Sequence, residues 1–175
     1  MESYKLELHP VRGQAHVCLF RNVTNAPELR QRLINQDATM ACALVNAELV
    51  INPFHVMLAA NRAAHDEKHN QLKTHNINSE IVFDFSSTIH ISQSLKRFGI
   101  EDTTTDIIAV KLGGTSEEAI AFMKDNIKGD VVALDQLDQI RDLKRIQKYY
   151  QTGDVKEDPV KLMQLVAGAM ALKGL

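Results

Sequence analysis

The chain has 175 residues, 45% of them hydrophobic and 24% charged, at a net charge of -2. That length suits one α/β-type domain that buries roughly two-thirds of its unfolded surface. The charge balance excludes a generally basic polyanion binder, so any nucleic-acid site must be a local patch.

Tyr4–Leu8 alternates with period two and predicts a strand; Pro10 and Gly13 mark a turn, and His16–Phe20 predicts the returning strand of a hairpin. Asn25 has the chemistry of an N-cap and Pro27 that of a first turn, so a helix is expected from Ala26 to about Gln36. Met40–Val50 is apolar but has no decisive period. Asn52 and Pro53 then open the longest predicted helix, Phe54 to about Gln71, whose first half is small and apolar and whose second half is polar. Ile81–Phe85 favours a strand by composition, with a short helix capped by Asn78 or Ser79 as the alternative. Ile91–Phe98 predicts a helix stopped by a left-handed Gly99. Asp106–Leu112 predicts a buried strand, Ser116–Ile127 a helix with a Thr115/Glu118 capping box, and Val131–Ala133 a short strand. Leu137, Ile140, Leu143 and Ile146 mark one further helix. A polar break over Gly153–Asp158 precedes the last helix, Pro159 to about Leu172.

Catalytic patterns are missing. His65 and His69 stand four apart, as in the zinc-protease motif, but Asp66 replaces the glutamate base, Lys68 stands between the histidines and no third ligand is evident; the segment reads as a solvated helix end. Gly113-Gly114 lacks a P-loop lysine, and Glu117 and Glu118 would repel an anion there. No nucleophile elbow, kinase motif set or dinucleotide fingerprint occurs. Cys18 and Cys42 are too few for a disulfide framework and lie among apolar residues. Met1–Leu8 lacks a signal's apolar run, and no stretch approaches the ~20 apolar residues of a membrane helix. The expectation is a binding protein of the cytoplasm and nucleus, with no cofactor, no metal and no membrane partner.

Two surfaces stand out. Arg62, His65, Lys68, Lys73 and His75 cluster along and beyond the long helix, with Lys96 and Arg97 on a later one and Ile77 and Ile91 nearby for a base to stack on. Arg141, Lys144, Arg145 and Lys148 form a second basic stripe that reads as a solvated face. The last helix carries more Val, Leu and Met than one core stripe needs, around Ala167-Gly168-Ala169, so it finishes the core or fills a partner's groove.

Three blocks resemble a known family: Asn52-Pro53-Phe54 through Ala59-Ala60-Asn61-Arg62-Ala63 to His65; Ser79-Glu80-Ile81-Val82-Phe83; and Ile91-Ser92 through Leu95-Lys96-Arg97-Phe98-Gly99-Ile100. Their order and spacing are similar to those of the PRPK-binding protein (TPRKB) family of KEOPS/EKC subunits. The resemblance implies an α+β single domain over residues 1–175, a small mainly antiparallel or mixed sheet covered by helices. It also implies a noncatalytic subunit that binds and modulates the complex's atypical kinase. Through the kinase it would meet the threonylcarbamoyl-transferase subunit, and it would help recruit tRNA by the 3′ CCA end for N6-threonylcarbamoyladenosine modification. Carried onto this chain, Asn61, Arg62, His65, Lys73 and Arg97 become candidate RNA contacts. Leu137, Tyr149, Leu162, Leu165 and Val166 become candidate kinase contacts. Asp66, Glu67 and Asn70, where relatives are often more basic, imply weak intrinsic RNA affinity.

Overall fold

The N-terminal hairpin forms, displaced from its expected register. In the computed structural model, which describes residues 1–155 and 158–175, β1 (Glu2–Lys5) pairs antiparallel with β2 (Gln14–Arg21), Glu2 opposite Val17 and Lys5 opposite Gln14. β1 starts before Tyr4 and stops at Lys5. Leu6 is already part of the loop, buried to 1% exposure with its N–H bonded to the Gly13 carbonyl, and Gly13 takes the positive φ this return needs. The undecided Met40–Val50 segment contains β3 (Ala43–Asn46) and a 3₁₀ turn at Ala47–Leu49. β2 pairs on its other edge with β4 (Ile107–Leu112), β4 pairs with β3, and β5 (Asp130–Val132) meets β2 at Leu19–Arg21. These pairings are all antiparallel, and with the helices they make the α+β fold that the resemblance implies.

Period-two alternation sends β2 side chains to two separate cores. Ala15, Val17 and Leu19, with Val45, Ile108 and Val110, face α2 (Pro53–Lys68), α3 (Ile77–Asp84), α4 (Ile91–Phe98), α7 (Leu143–Tyr150) and α8 (Pro159–Ala171). Cys18 and Phe20, with Leu44, Ile107 and Ala109, face α1 (Ala26–Ile34) and α5 (Ser116–Asn126) through Leu29 and Met123. α2 lies close to the sheet because its inward residues Val56, Ala59, Ala60, Ala63 and Ala64 are small. Its start is set by Asn52, whose side chain accepts from the His55 N–H at 3.1 Å, with Pro53 in the first turn. α5 has the expected Thr115/Glu118 capping box.

Four expectations need correction. Ile81–Phe85 belongs to α3 and to the residue that closes it. Its cap is Asn76, which accepts from Ser79 N–H at 3.0 Å, rather than Asn78 or Ser79. Ile81, Val82 and Phe83 are buried on several sides at once, packed against α2, α4 and β3, so tertiary contact overrides their strand propensity. Gly99 ends α4 with φ -71° and ψ 176°, an extended conformation; a glycine is needed because a Cβ would stand 2.4 Å from the Leu95 carbonyl oxygen. The Leu137–Ile146 helix is two pieces, α6 (Leu137–Ile140) and α7. Arg141 turns extended, the Asp142 N–H goes to the Glu48 carbonyl at 2.7 Å, and the Asp142 side chain caps α7. Asn25 makes no side-chain cap; it ties α1 to the end of α5, donating to the Asn126 carbonyl and accepting from Lys128 N–H. The predicted Gly153–Asp158 break includes Lys156 and Glu157, which lie outside the described residues.

Candidate functional site

The five candidate RNA contacts do not form one open cationic surface. Arg62 donates to the Met170 carbonyl at 2.7 Å, which the Lys173 N–H also reaches, and to the Lys173 carbonyl at 3.2 Å just past the end of α8, and it lies 3.7 Å from Asp84. Lys73 pairs with Asp66 at 3.1 Å and also reaches the Gln71 carbonyl. Asn61 donates back along α2 to the Met57 carbonyl at 2.9 Å. His65, exposed, stacks on His69 and faces His9. Arg97, on α4, lies over the Tyr149 ring, 4.9 Å from its centroid. Arg62 and Lys73 thus meet at one acidic centre, while His65 and Arg97 belong to other neighbourhoods.

That acidic centre left no trace in local sequence pattern. Asp66, Glu80 and Asp84 bring carboxylate oxygens within 4.8 Å of one another, all three residues buried. One Glu80 oxygen accepts from Lys73 N–H, Thr74 N–H and the Thr74 hydroxyl; the other, and one Asp84 oxygen, have no protein partner. Lys173 inserts from beyond α8, its Nζ 2.6 Å from the Phe83 carbonyl, 3.5 Å from Asp84 and over the Phe83 ring. Burial, reinforced by Glu80 and Asp66, pushes the Asp84 carboxyl up to about 7 against the pull of Lys173 and Arg62; burial brings the Lys173 ammonium down to about 8. The arrangement latches the C-terminal helix onto α2 and α3. Helical spacing places Asp66 inward, but Glu80 and Asp84 could be read as partners only once the Ile81 segment was known to be helical.

A second buried relay runs from α2 to α7. Ile51 N–H donates to His55 Nδ1, so the proton of this neutral ring sits on Nε2, 2.9 Å from the Tyr150 hydroxyl, which donates to the Phe85 carbonyl. Burial holds His55 down to about 3, so it stays uncharged across the physiological range.

The candidate kinase contacts divide by burial. Leu137, Leu162 and Val166 are core residues at 1% exposure or less. Tyr149 is half-buried between Arg97 and Arg145. Leu165 is 41% exposed, and with Lys161, Gln164, Gly168, Ala171 and Leu172 it forms the outward stripe of α8. A Cβ at Gly168 would meet nothing within 4 Å, so the middle of the stripe is open and shallow. Arg141 and Arg145, of the second basic stripe, pair with Asp138 and Glu48; Lys144 and Lys148 are exposed.

One opening escaped the sequence reading. A cavity of about 820 Å³ lies between the end of α1, β3, the start of α3 and the end of α4. Leu33, Met40, Leu44, Val82 and Leu95 make its apolar walls, with His75 and Lys96 among the polar residues of its lining. This size and mixture suit a small ligand or one chain end.

One hydroxyl–imidazole pair does form, Ser3 Oγ lying 2.7 Å from His16 Nδ1 across the β1–β2 ladder, with the other His16 nitrogen 3.1 Å from the Gly114 carbonyl. Burial raises the thiols of Cys18 to about 11 and Cys42 to about 12, so neither is a ready thiolate. No described helix is long and apolar enough to cross a membrane.

Comparison with known proteins gives this geometry a context. The profile of the kinase binding protein CGI-121 family matches residues 20–174. The chain is 34% identical over 183 residues to the EKC/KEOPS complex subunit cgi121 of Aspergillus fumigatus, covering 99% of this chain and 97% of that protein. It is 35% identical over 186 residues to the subunit of the same name in Aspergillus terreus, covering 97% and 95%. To the EKC/KEOPS complex subunit TPRKB of Danio rerio it is 32% identical over 156 residues, covering 89% and 88%. A match of this extent, spanning both cores and the latched C-terminal helix, means that the chain belongs to the CGI-121 kinase-binding protein family.

Proposed function

We propose that this chain is a noncatalytic subunit of an EKC/KEOPS complex in the cytoplasm and nucleus. It binds and modulates the complex's atypical kinase, meets the transferase subunit through it, and helps recruit tRNA by the 3′ CCA end for N6-threonylcarbamoyladenosine formation. The observation that carries the kinase contact is the outward stripe of α8. Leu165 and Leu172 stand exposed on a helix whose other side is held by Leu162, Val166 and Met170 and whose end is latched by Arg62 and Lys173. A rigidly seated apolar helix face loses little entropy when a partner covers it. Leu162, Val166 and Leu137 act behind that face, by seating it.

The test is co-purification with the kinase. Leu165→Asp with Leu172→Asp is expected to abolish the complex while stability stays within about 0.5 kcal/mol, because both sites are on the surface. Full kinase binding by a folded double variant would refute the contact.

For tRNA, the cavity lining includes His75, two residues from Lys73 in sequence, and Lys96, next to Arg97, which supports an RNA end entering there rather than along an open Arg62 face. Lys96→Glu with Lys73→Glu is expected to weaken tRNA binding by the assembled complex and to flatten its salt dependence, since phosphate contacts release counterions. Unchanged tRNA binding and modification would favour a purely kinase-regulatory subunit with no RNA contact.

A further inference from the structure

We infer that His9, His65 and His69 form a binding site for a divalent transition-metal ion of the zinc class, joining the β1–β2 loop to α2. The helix supplies two of the three imidazoles at four-residue spacing, and the fold brings the third from a loop far away in sequence. The ring centroids of His65 and His69 are 4.2 Å apart, and His9 lies 5.9 Å from His65 in an edge-on arrangement.

Two observations prepare this cluster for a cation. His9 is 6% exposed, yet its Nδ1 has no protein partner, an uncommon loss for a buried ring nitrogen. The Nδ1 of His69 is 2.8 Å from the His65 carbonyl oxygen; a carbonyl only accepts, so Nδ1 carries a proton and Nε2 is the nitrogen left to face a ligand. Fixing one ring nitrogen on a backbone carbonyl is the outer-shell arrangement that orients metal-bound histidines.

The ligand nitrogens of the three rings are not all within 4.8 Å of one another as they stand, so a ring must turn to close the site, and the third ring is adjustable. His65 is exposed and, among the described residues, makes ring contacts but no side-chain hydrogen bond, so it can turn to bring a nitrogen toward the other two. The loop carrying His9 cannot drift. Its backbone bonds run from His9 N–H to the Leu6 carbonyl and from Arg12 and Gly13 N–H to the His9 carbonyl, and Arg12 grips Glu67 of α2 in a two-pronged ion pair. Of the like charges on this face Arg12 is paired with Glu67, and Lys68 has an exposed, flexible side chain that keeps its ammonium in water. Three imidazole ligands suit zinc, copper or nickel rather than calcium or magnesium and leave a fourth position for water. This site depends on neither the kinase nor the tRNA contact.

Titration of the full chain with zinc chloride by calorimetry is expected to show one saturable site per chain. His69→Ala and His65→Ala change exposed residues and should fold normally; each is expected to weaken zinc at least ~10-fold. Addition of zinc should raise the melting temperature of the wild type and leave that of His69→Ala unmoved. Asp84→Asn should leave zinc binding as it was. The inference is overturned if no one-to-one binding is seen, or if binding persists in the His65→Ala/His69→Ala double variant. It is equally overturned if Asp84→Asn alone removes binding, which would put the ion in the acidic centre.

Discussion

The two faces of the sheet are built from different materials. Under α1 and α5 the core is Cys18, Phe20, Leu29, Leu44, Ile107, Ala109 and Met123, side chains held by shape and exclusion of water. Under α2, α3, α7 and α8 an apolar core of similar kind encloses polar groups: the His55–Tyr150–Phe85 relay and the Asp84–Lys173–Arg62 latch. The first face gains stability from volume. The second gains less per buried group, because polar atoms must be desolvated before they are paired, but it fixes where its helices sit. The helix offered as the kinase contact is on this second face, where position matters most. Latching a binding helix by directional bonds at its end keeps its outward stripe in one orientation without spending outward apolar residues on anchoring.

The contrast can be broken from either side. The largest loss is expected for Phe20→Ala on the apolar face, about 4 kcal/mol for transfer and cavity together, read as a denaturation midpoint whose shift is the same at pH 7 and pH 5. Asp84→Ala, which strands the Lys173 ammonium among buried groups, is expected to cost roughly 3 kcal/mol. Adding Lys173→Met should recover part of that loss in a double-mutant cycle; additive losses would mean that the two do not form a latch. Tyr150→Phe removes one hydroxyl, leaving the His55 ring nitrogen and the Phe85 carbonyl unpaired, at about 2 kcal/mol.

The smallest effect is the sharpest discriminator. His55 is held to about 3 in the folded chain against an ordinary 6.5, so the folded state binds fewer protons and stability rises with pH across that window. His55 should therefore contribute its full stabilising difference above pH 6.5 and lose it as pH falls toward 3, by about 1 kcal/mol between pH 6.5 and 5.5. His55→Gln is expected to flatten this slope; an unchanged slope would locate the acid sensitivity elsewhere.

Much of the fold was legible because local chemistry and tertiary demand agreed. Asn52-Pro53, the Thr115/Glu118 capping box and the Ile107–Leu112 run define elements in any context. α3 is ambiguous in sequence because they disagree: Ile81-Val82-Phe83 has strand propensity, and the helix that stands as the alternative is the outcome because a helix buried on most sides needs the same residues. The break at Arg141 was hidden because Leu137, Ile140, Leu143 and Ile146 keep helical spacing across it, while its cause, the Glu48 carbonyl, is distant in sequence. The candidate site fared similarly. Charge identified Arg62, Lys73 and Arg97 as notable residues, yet a sequence does not say whether a cation faces water or a buried carboxylate. Of the five residues the sequence offers for the kinase, Leu137, Leu162 and Val166 are core, and Leu165 and the half-buried Tyr149 have surface to offer.

The sequence by itself determined the local vocabulary: where most helices begin, which stretches are apolar, the family blocks around Asn52–Ile100, and the lack of catalytic motifs. Those features arise from interactions a few residues long, or from identity alone. Only the tertiary structure decided that Arg62 caps α8, that Lys173 descends onto Asp84, that His9 comes to rest beside His65, and that a cavity opens beside β3. Each joins groups widely separated along the chain, and such pairings are set by how whole elements pack, which no short window of residues contains.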